Sequence, residues 1–279
     1  DSYNIAIGHS AGYSVTTGIR NALVGGLAGD ALTDADNNAV LGYSALSTDT
    51  LGSRSVAIGT KALTAQNLTT ATDVYNTAVG YGSGEAMTTG VENTIIGALA
   101  GDALTTGQRN VAVGKSALSA DTLGSYNTAL GKDALGAQNF TTATSSYNTG
   151  VGFGAGAAIT TGIRNTFVGG SCGDATTDAD YNTAVGQGAM GTNVLGSRNT
   201  ALGRDALYAM NPATAADMYN TAVGFGAGAV LTTAIYNTLI GANAGDALTT
   251  GQENVAVGYS ALSTDDVGSH SVAVGPYAL

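Results

Sequence analysis

The chain has 279 residues with a formal net charge of −11, and charged residues make up only 10% of it. The scarcity of Lys and Arg argues against nucleic acid or anionic lipid as a partner, because both require a cationic surface. No run of about 18 apolar residues is present to form a transmembrane helix. A single cysteine, Cys172, leaves no internal disulfide.

A five-residue motif, Asn-x-x-aliphatic-Gly, recurs sixteen times from Asn4 to Ser271, with Ser in place of Asn at Ser55 and Ser271. Successive motifs lie 17, 17, 17 and 21 residues apart, and this set of intervals repeats. The intervals define super-repeats at 1–72, 73–144 and 145–216 and an incomplete one at 217–279, within one array over 1–279. A short fixed period of this kind indicates a solenoid.

Each repeat, here called a coil, is numbered from its motif residue, so that Asn76 is position 0 and Ala78 is position +2. Positions +1 to +3, as in Thr77-Ala78-Val79, alternate and carry β-branched residues, which indicates a short strand. Gly at position +4 predicts a corner with positive φ. A second segment, such as Ala103–Gly107, predicts a second strand and a second corner.

Two strands and two corners in every coil predict an all-β fold, a parallel β-solenoid of about 16 coils. The apolar residues at position +2 are interpreted as a second apolar face, which would be exposed unless another subunit covers it. The residues on which this interpretation rests are Ala78, Ile95, Ala112, Phe167 and Leu239.

Three motifs, Ser-Val-Ala-Ile-Gly at 55–59 and Asn-Val-Ala-Val-Gly at 110–114 and 254–258, resemble the head repeats of trimeric autotransporter adhesins. The repeats are also similar to those of β-solenoid phage tail fibres. The resemblance implies a left-handed parallel β-roll, a homotrimer, and display outside the cell or on a virion.

A column of Tyr and Arg residues directly precedes the motif and is the main candidate site. One interpretation is a binding stripe for a glycan or a neighbouring subunit, since Tyr and Arg are frequent interface hot spots. The alternative is a ladder between coils that only stabilises the stack. The column comprises Tyr3, Arg20, Arg54, Tyr75, Arg109, Tyr126, Tyr147, Arg164, Tyr181, Arg198, Tyr219 and Tyr236.

Other polar columns favour structural roles. The motif Asn residues are expected to form a ladder that satisfies corner amides. Asn67 and Asn139 begin glycosylation sequons within the fourth coil of their super-repeats, where four extra residues form a bulge. Aspartates that recur once per super-repeat, at Asp30, Asp102, Asp174 and Asp246, are interpreted as solvated turn residues rather than calcium ligands.

No set of catalytic residues is apparent, so the sequence predicts a non-enzymatic protein without cofactor or metal. The favoured hypothesis is an extracellular fibre or adhesin segment on a cell surface or virion, with itself and a host glycan or protein as partners. The alternative is a filament subunit that stacks end to end through its edge strands. Ice binding through Thr-Thr-Gly segments is a third, less favoured hypothesis; these segments contain Thr88, Thr105, Thr160 and Thr249.

Overall fold

A computed structural model describes residues 2–279 and divides them into two compact units, 2–146 and 147–279. Each unit is a parallel β-solenoid, and the chain forms about 16 coils in all. The predicted fold class is therefore confirmed.

The first unit consists of three-residue strands at the motif and two-residue strands opposite. Its strands are β1 (Ile5–Ile7), β2 (Ala22–Val24), β3 (Ala39–Leu41), β4 (Gly52–Ser53), β5 (Val56–Ile58), β6 (Thr72–Asp73), β7 (Thr77–Val79), β8 (Thr94–Ile96), β9 (Val111–Val113), β10 (Gly124–Ser125), β11 (Thr128–Leu130) and β12 (Thr144–Ser145). The motif strands pair in the order β1-β2-β3-β5-β7-β8-β9-β11, whereas β4 pairs with β6 and β10 with β12.

The second unit repeats this arrangement. Its strands are β13 (Thr149–Val151), β14 (Thr166–Val168), β15 (Thr183–Val185), β16 (Gly196–Ser197), β17 (Thr200–Leu202), β18 (Ala216–Asp217), β19 (Thr221–Val223), β20 (Thr238–Ile240), β21 (Val255–Val257) and β22 (Val272–Val274). The motif strands pair in the order β13-β14-β15-β17-β19-β20-β21-β22, and β16 pairs with β18. Neighbouring motifs are in strict register, so that Phe167 lies beside Ala184.

The prediction of a second strand in every coil is wrong. Ala103–Gly107 runs through turns and bends, and two-residue strands occur only in the third and fourth coils of a super-repeat. In the first coil of the second super-repeat, for example, the backbone amides of Thr88, Thr89 and Gly90 all donate to the carbonyl of Thr105. Three donors that converge on one acceptor cannot form the evenly spaced bonds of a parallel ladder.

The interpretation of position +2 as an outer face is also wrong, because these side chains form the core. Ala78, Ile95, Ala112, Phe167 and Leu239 are all fully buried. Since side chains alternate across a strand, positions +1 and +3 must then point outward. At position +3, Ile7 is 61% exposed and Leu41 is 51% exposed.

The core is packed by size complementarity between positions +2 and +8. In the second coil of each super-repeat, position +2 is large and position +8 is Gly, as in Phe167 and Gly173. A Cβ atom on Gly173 would lie 2.6 Å from the Phe167 ring. In the fourth coil the sizes are reversed, since Ala201 occupies position +2 and Leu207 position +8.

Glycine at position +8 of the first coil also separates large residues of the coils before and after it. A Cβ atom on Gly228 would lie 3.0 Å from Leu207 in the preceding coil and 2.8 Å from Leu239 in the following one. At position +8 the four coils of a super-repeat carry Gly, Gly, Leu and Leu in order, with Met190 as the one substitution. The two glycines of this order are required by the packing of the core.

Glycine at position +4 meets two requirements at the corner that ends the motif strand. Gly169 has a φ of 137°, a conformation that other residues rarely adopt, and an added Cβ would lie 2.6 Å from the carbonyl oxygen of Gly186. Both the backbone conformation and the close approach of the next coil therefore explain why the motif always ends in glycine.

Candidate functional site

The motif Asn residues form a buried ladder that joins successive coils. The Asn165 side-chain amide donates to the carbonyl of Ala179 at 2.8 Å, and its Oδ1 accepts from the backbone amide of Asn182 at 3.0 Å. The same two bonds recur along both units, and the Asn165 side chain is fully buried. These bonds give the Asn column the structural role that its sequence pattern favours.

A buried Asp–Gln pair lies within the first unit and was missed by sequence reasoning. Asp121 accepts bonds from Gln138 Nε2 at 2.6 Å and from the Gly124 amide at 3.0 Å. Burial raises the pKa of Asp121, while these hydrogen bonds oppose the rise. Asp49 and Gln66 form an equivalent pair. The signal was present at position +11, where Asp in a third coil is followed by Gln in the fourth.

The Tyr/Arg column forms ion pairs and stacked pairs between coils of the first unit. Arg109 Nε lies 2.6 Å from a Glu92 carboxylate oxygen, and its guanidinium donates to the Tyr126 hydroxyl at 2.6 Å. The hydrogen bond with Glu92 raises the pKa of Arg109. Nearer the N-terminus, the Arg54 guanidinium carbon lies 5.7 Å from the centre of the Tyr75 ring. Glu92 therefore belongs to the same column.

In the second unit the column stacks across five successive coils. Arg164 donates to the Tyr181 hydroxyl, and the guanidinium carbons of Arg164 and Arg198 lie 5.3 and 4.7 Å from the Tyr181 ring centre. Arg198 also pairs with Asp217 at 2.8 Å and lies over the Tyr219 ring. The Tyr219 and Tyr236 rings stack with centroids 5.4 Å apart and planes 8° from parallel.

These contacts between coils explain much of the pattern of Tyr and Arg in the column. The surface of the column is nevertheless open to solvent. Tyr75 is 51% exposed and Tyr219 is 45% exposed. Tyr3, Arg20 and Tyr147 are also exposed members. The residues have left-handed backbone conformations, with φ of 53° at Tyr75, which turn the column outward just before the strand. The arrangement can stabilise the stack and offer aromatic and cationic groups to a partner.

Both sequon asparagines are exposed beside the bulge of the fourth coil. Asn67 Oδ1 accepts from the Thr50 hydroxyl at 3.3 Å, and Asn139 Oδ1 accepts from the Thr122 hydroxyl at 3.1 Å. Residues 69–71 and 141–143 of the two bulges are exposed as well. The geometry leaves the sequons accessible, and glycosylation stays a prediction.

Cys172 and Asp174 are titratable groups with raised pKa values in the second coil of the third super-repeat. Cys172 is buried at an inward position and burial raises the pKa of its thiol to about 12, so the thiolate is suppressed. Burial likewise raises the pKa of Asp174. Over residues 2–279, no three His, Cys, Asp or Glu side chains are grouped so that they could hold a metal ion. The same residues include no helix long and apolar enough to cross a bilayer.

No protein-family model matches the chain, and a search of characterised proteins finds no match either. The resemblance to adhesin head repeats thus rests on the motifs alone. The class that fold and spacing define is a parallel β-solenoid repeat protein with coils of about 17 residues.

Proposed function

We propose that the chain is a non-enzymatic segment of an extracellular fibre or adhesin, and that three copies associate side by side. The single observation that supports association is the outer face of the motif sheet, formed by positions +1 and +3. In all sixteen coils these positions carry only Thr, Ala, Val, Ile or Leu. An uncharged, regular, apolar face of this kind is typical of an interface.

The exposure of this outer face is substantial within each unit. Leu130 in the first unit is 45% exposed and Ile240 in the second is 40% exposed. A second copy of the chain is the occupant that we infer for the outer face, because this face carries no charged residue. The chain has 20 acidic residues against nine Lys and Arg, so two copies repel each other where acidic residues meet, and the outer face carries none.

Sedimentation velocity of the purified chain tests the association. The wild type is expected at three times the chain mass of 27.3 kDa, and Ile96→Glu with Ile240→Glu is expected to dissociate it. Val267→Glu is a matched control, because Val267 is 60% exposed but lies outside the outer face. A monomeric wild type refutes the proposal, and fibres of indefinite length favour the end-to-end filament instead.

The Tyr/Arg column is the part of the surface that we assign to attachment on a cell surface or virion. Its rings and guanidinium groups can contact a host glycan or protein, since both are suited to exposed binding surfaces. Arg109→Ala together with Arg164→Ala is expected to preserve the circular dichroism spectrum and to weaken attachment to host cells. Attachment that is unchanged in this variant contradicts the assignment.

Ice binding is a second candidate function because threonines on the outer face are regularly spaced. Six successive coils of the second unit carry Thr at position +1, in register at Thr149, Thr166, Thr183, Thr200, Thr221 and Thr238. Coils in such a sheet are about 4.8 Å apart. The Thr-Thr-Gly hydroxyls are less suited, since that of Thr105 donates to the carbonyl of Thr122. Thermal hysteresis that is abolished by Thr200→Glu would favour this function.

A further inference from the structure

A groove lies on the third super-repeat, away from the outer face and the Tyr/Arg column. Its polar lining includes Ser171, Asp174, Gln187, Asp205 and Tyr208, and its volume is about 670 Å³. This volume is within the range of about 300–1,000 Å³ that is typical of ligand sites. The groove residues follow the motif strand, whereas the column precedes it, so a ligand here would not compete with the column.

The lining of the groove differs from the other super-repeats, most clearly at Gly188, Gly191 and Tyr208. Gly188 and Gly191 replace serines of the other super-repeats, which removes two side chains from the floor. Tyr208 adds a ring where the other super-repeats have small residues. The corresponding residues are Ser44, Ser116 and Ser260, then Ser47, Ser119 and Ser263, and finally Thr64 and Gly136. Most of the lining belongs to the third super-repeat, and Ala229 and Val230 of the next one complete it. A groove found at one place along the array is not a consequence of the periodic fold.

Gly188 and Gly191 leave room for the side chains of Asp205 and Tyr208 in the next coil. A Cβ atom on Gly191 would lie 2.9 Å from Cε2 of the Tyr208 ring, so the ring packs against the bare backbone. A Cβ atom on Gly188 would lie 2.6 Å from Asp205 Oδ1. Tyr208 nevertheless is 44% exposed, which leaves part of its ring accessible to a ligand.

The polar groups around the Tyr208 ring can form hydrogen bonds. The positive charge among them, that of Arg204, is paired with a carboxylate. Asp205 Oδ2 pairs with Arg204 Nε at 3.1 Å, while Asp205 Oδ1 lies over Gly188. Ser171 and the half-buried Asp174 also line the groove. Gln187 adds an amide that can both donate and accept.

We propose that this groove binds a neutral saccharide of the hexose class. The Tyr208 ring offers an apolar face to the C–H groups of a sugar ring. Asp174 and Asp205 offer carboxylate acceptors, which make the stronger kind of hydrogen bond to hydroxyl groups. Anionic sugars are disfavoured because two carboxylates line the groove. Binding here requires neither self-association nor the Tyr/Arg column, and so it goes beyond the proposed function.

Saturation-transfer difference NMR on the full chain tests the proposal. The probes are the methyl glycosides of glucose, galactose, mannose and N-acetylglucosamine, with glucuronate as the anionic comparison. At least one neutral glycoside is expected to receive saturation at millimolar concentration, and glucuronate is not. Tyr208→Ala is expected to weaken binding at least tenfold. Tyr13→Ala is the matched control, because Tyr13 occupies position +9 of another coil and is 83% exposed.

A second variant keeps the test independent of any folding defect in Tyr208→Ala. Gly188→Ser with Gly191→Ser restores the residues of the other super-repeats, and should fill the groove and displace the Tyr208 and Asp205 side chains. The backbone can keep its conformation, since Ser44 and Ser116 adopt positive φ at the same position as Gly188. Binding is expected to be lost in this variant as well. The proposal is overturned if no neutral glycoside receives saturation, or if transfer persists in both variants.

Discussion

Replacing Asn165 by Ala tests whether the Asn ladder holds successive coils together. The substitution removes the donor to the Ala179 carbonyl and the acceptor for the Asn182 amide. Asn165 and Asn182 are both fully buried, so water does not readily replace the lost bonds. A buried polar group without a partner costs about 1–3 kcal/mol, and two such groups predict a loss of about 2–6 kcal/mol.

Hydrogen exchange is the most direct assay, because a solenoid can lose structure locally and its global unfolding need not be two-state. The Asn182 amide is expected to lose protection first, with smaller effects in coils further along the stack. Urea unfolding of the same variant should show an earlier midpoint for the transition that reports on the second unit.

Thr166→Val provides the matched control one residue away. Position +1 is outward, and Val111 and Val255 already occupy it in other coils, so the change is expected within about 0.5 kcal/mol. If Asn165→Ala leaves both the Asn182 protection and the urea midpoint at the wild-type values, the ladder does not carry the stability assigned to it.

Three further predictions concern single positions. Gly169→Ala should cost at least about 2 kcal/mol because of its positive φ and close neighbour, whereas Gly170→Ala should be nearly neutral in urea unfolding, since an added Cβ meets no atom within 4 Å. Native Cys172 should resist thiol reagents at pH 8 and react only on unfolding, as its pKa of about 12 implies; rapid labelling of the folded chain would contradict its burial. The raised pKa of Asp121 means that folding disfavours its charged form, so the carboxyl destabilises the fold increasingly as pH rises through its raised folded pKa. A variant with Asp121→Asn and Gln138→Met carries the residues that the next super-repeat has at Asn193 and Met210. It should therefore gain stability relative to wild type between about pH 4 and pH 7.

Periodicity was sufficient to predict the coils and the motif strand, because Asn and Gly recur at fixed spacing and meet the same backbone requirement in every coil. Which face of the strand points inward was predicted wrongly, because alternation by itself is symmetric between the two faces. The pairing of Phe167 with Gly173, and of Ile95 with Gly101, contains the missing information. Where position +2 of a coil is large, position +8 is small. Such complementary sizes show that both side chains lie in the same interior.

The groove on the third super-repeat could not be predicted from the sequence for a different reason. Replacement of two serines by glycine is an ordinary change at a surface position. Its effect depends on Tyr208, which lies 17 residues beyond Gly191 in the chain and packs against it only after the coils have stacked. The two residues of the Asp121–Gln138 pair likewise lie one coil apart. The pair can therefore be recognised only when the register of the stacked coils is known.

The position of Gly228 between Leu207 and Leu239 limits how such a gene can change in length. Loss of the single coil at 220–236 would bring the two leucines into adjacent coils, without the glycine that now makes room for both. Loss or duplication of 72 residues would instead restore the same neighbours on both sides. Length variants of this protein are therefore expected to differ by whole super-repeats, and recombination within one super-repeat should be removed by selection against misfolded products.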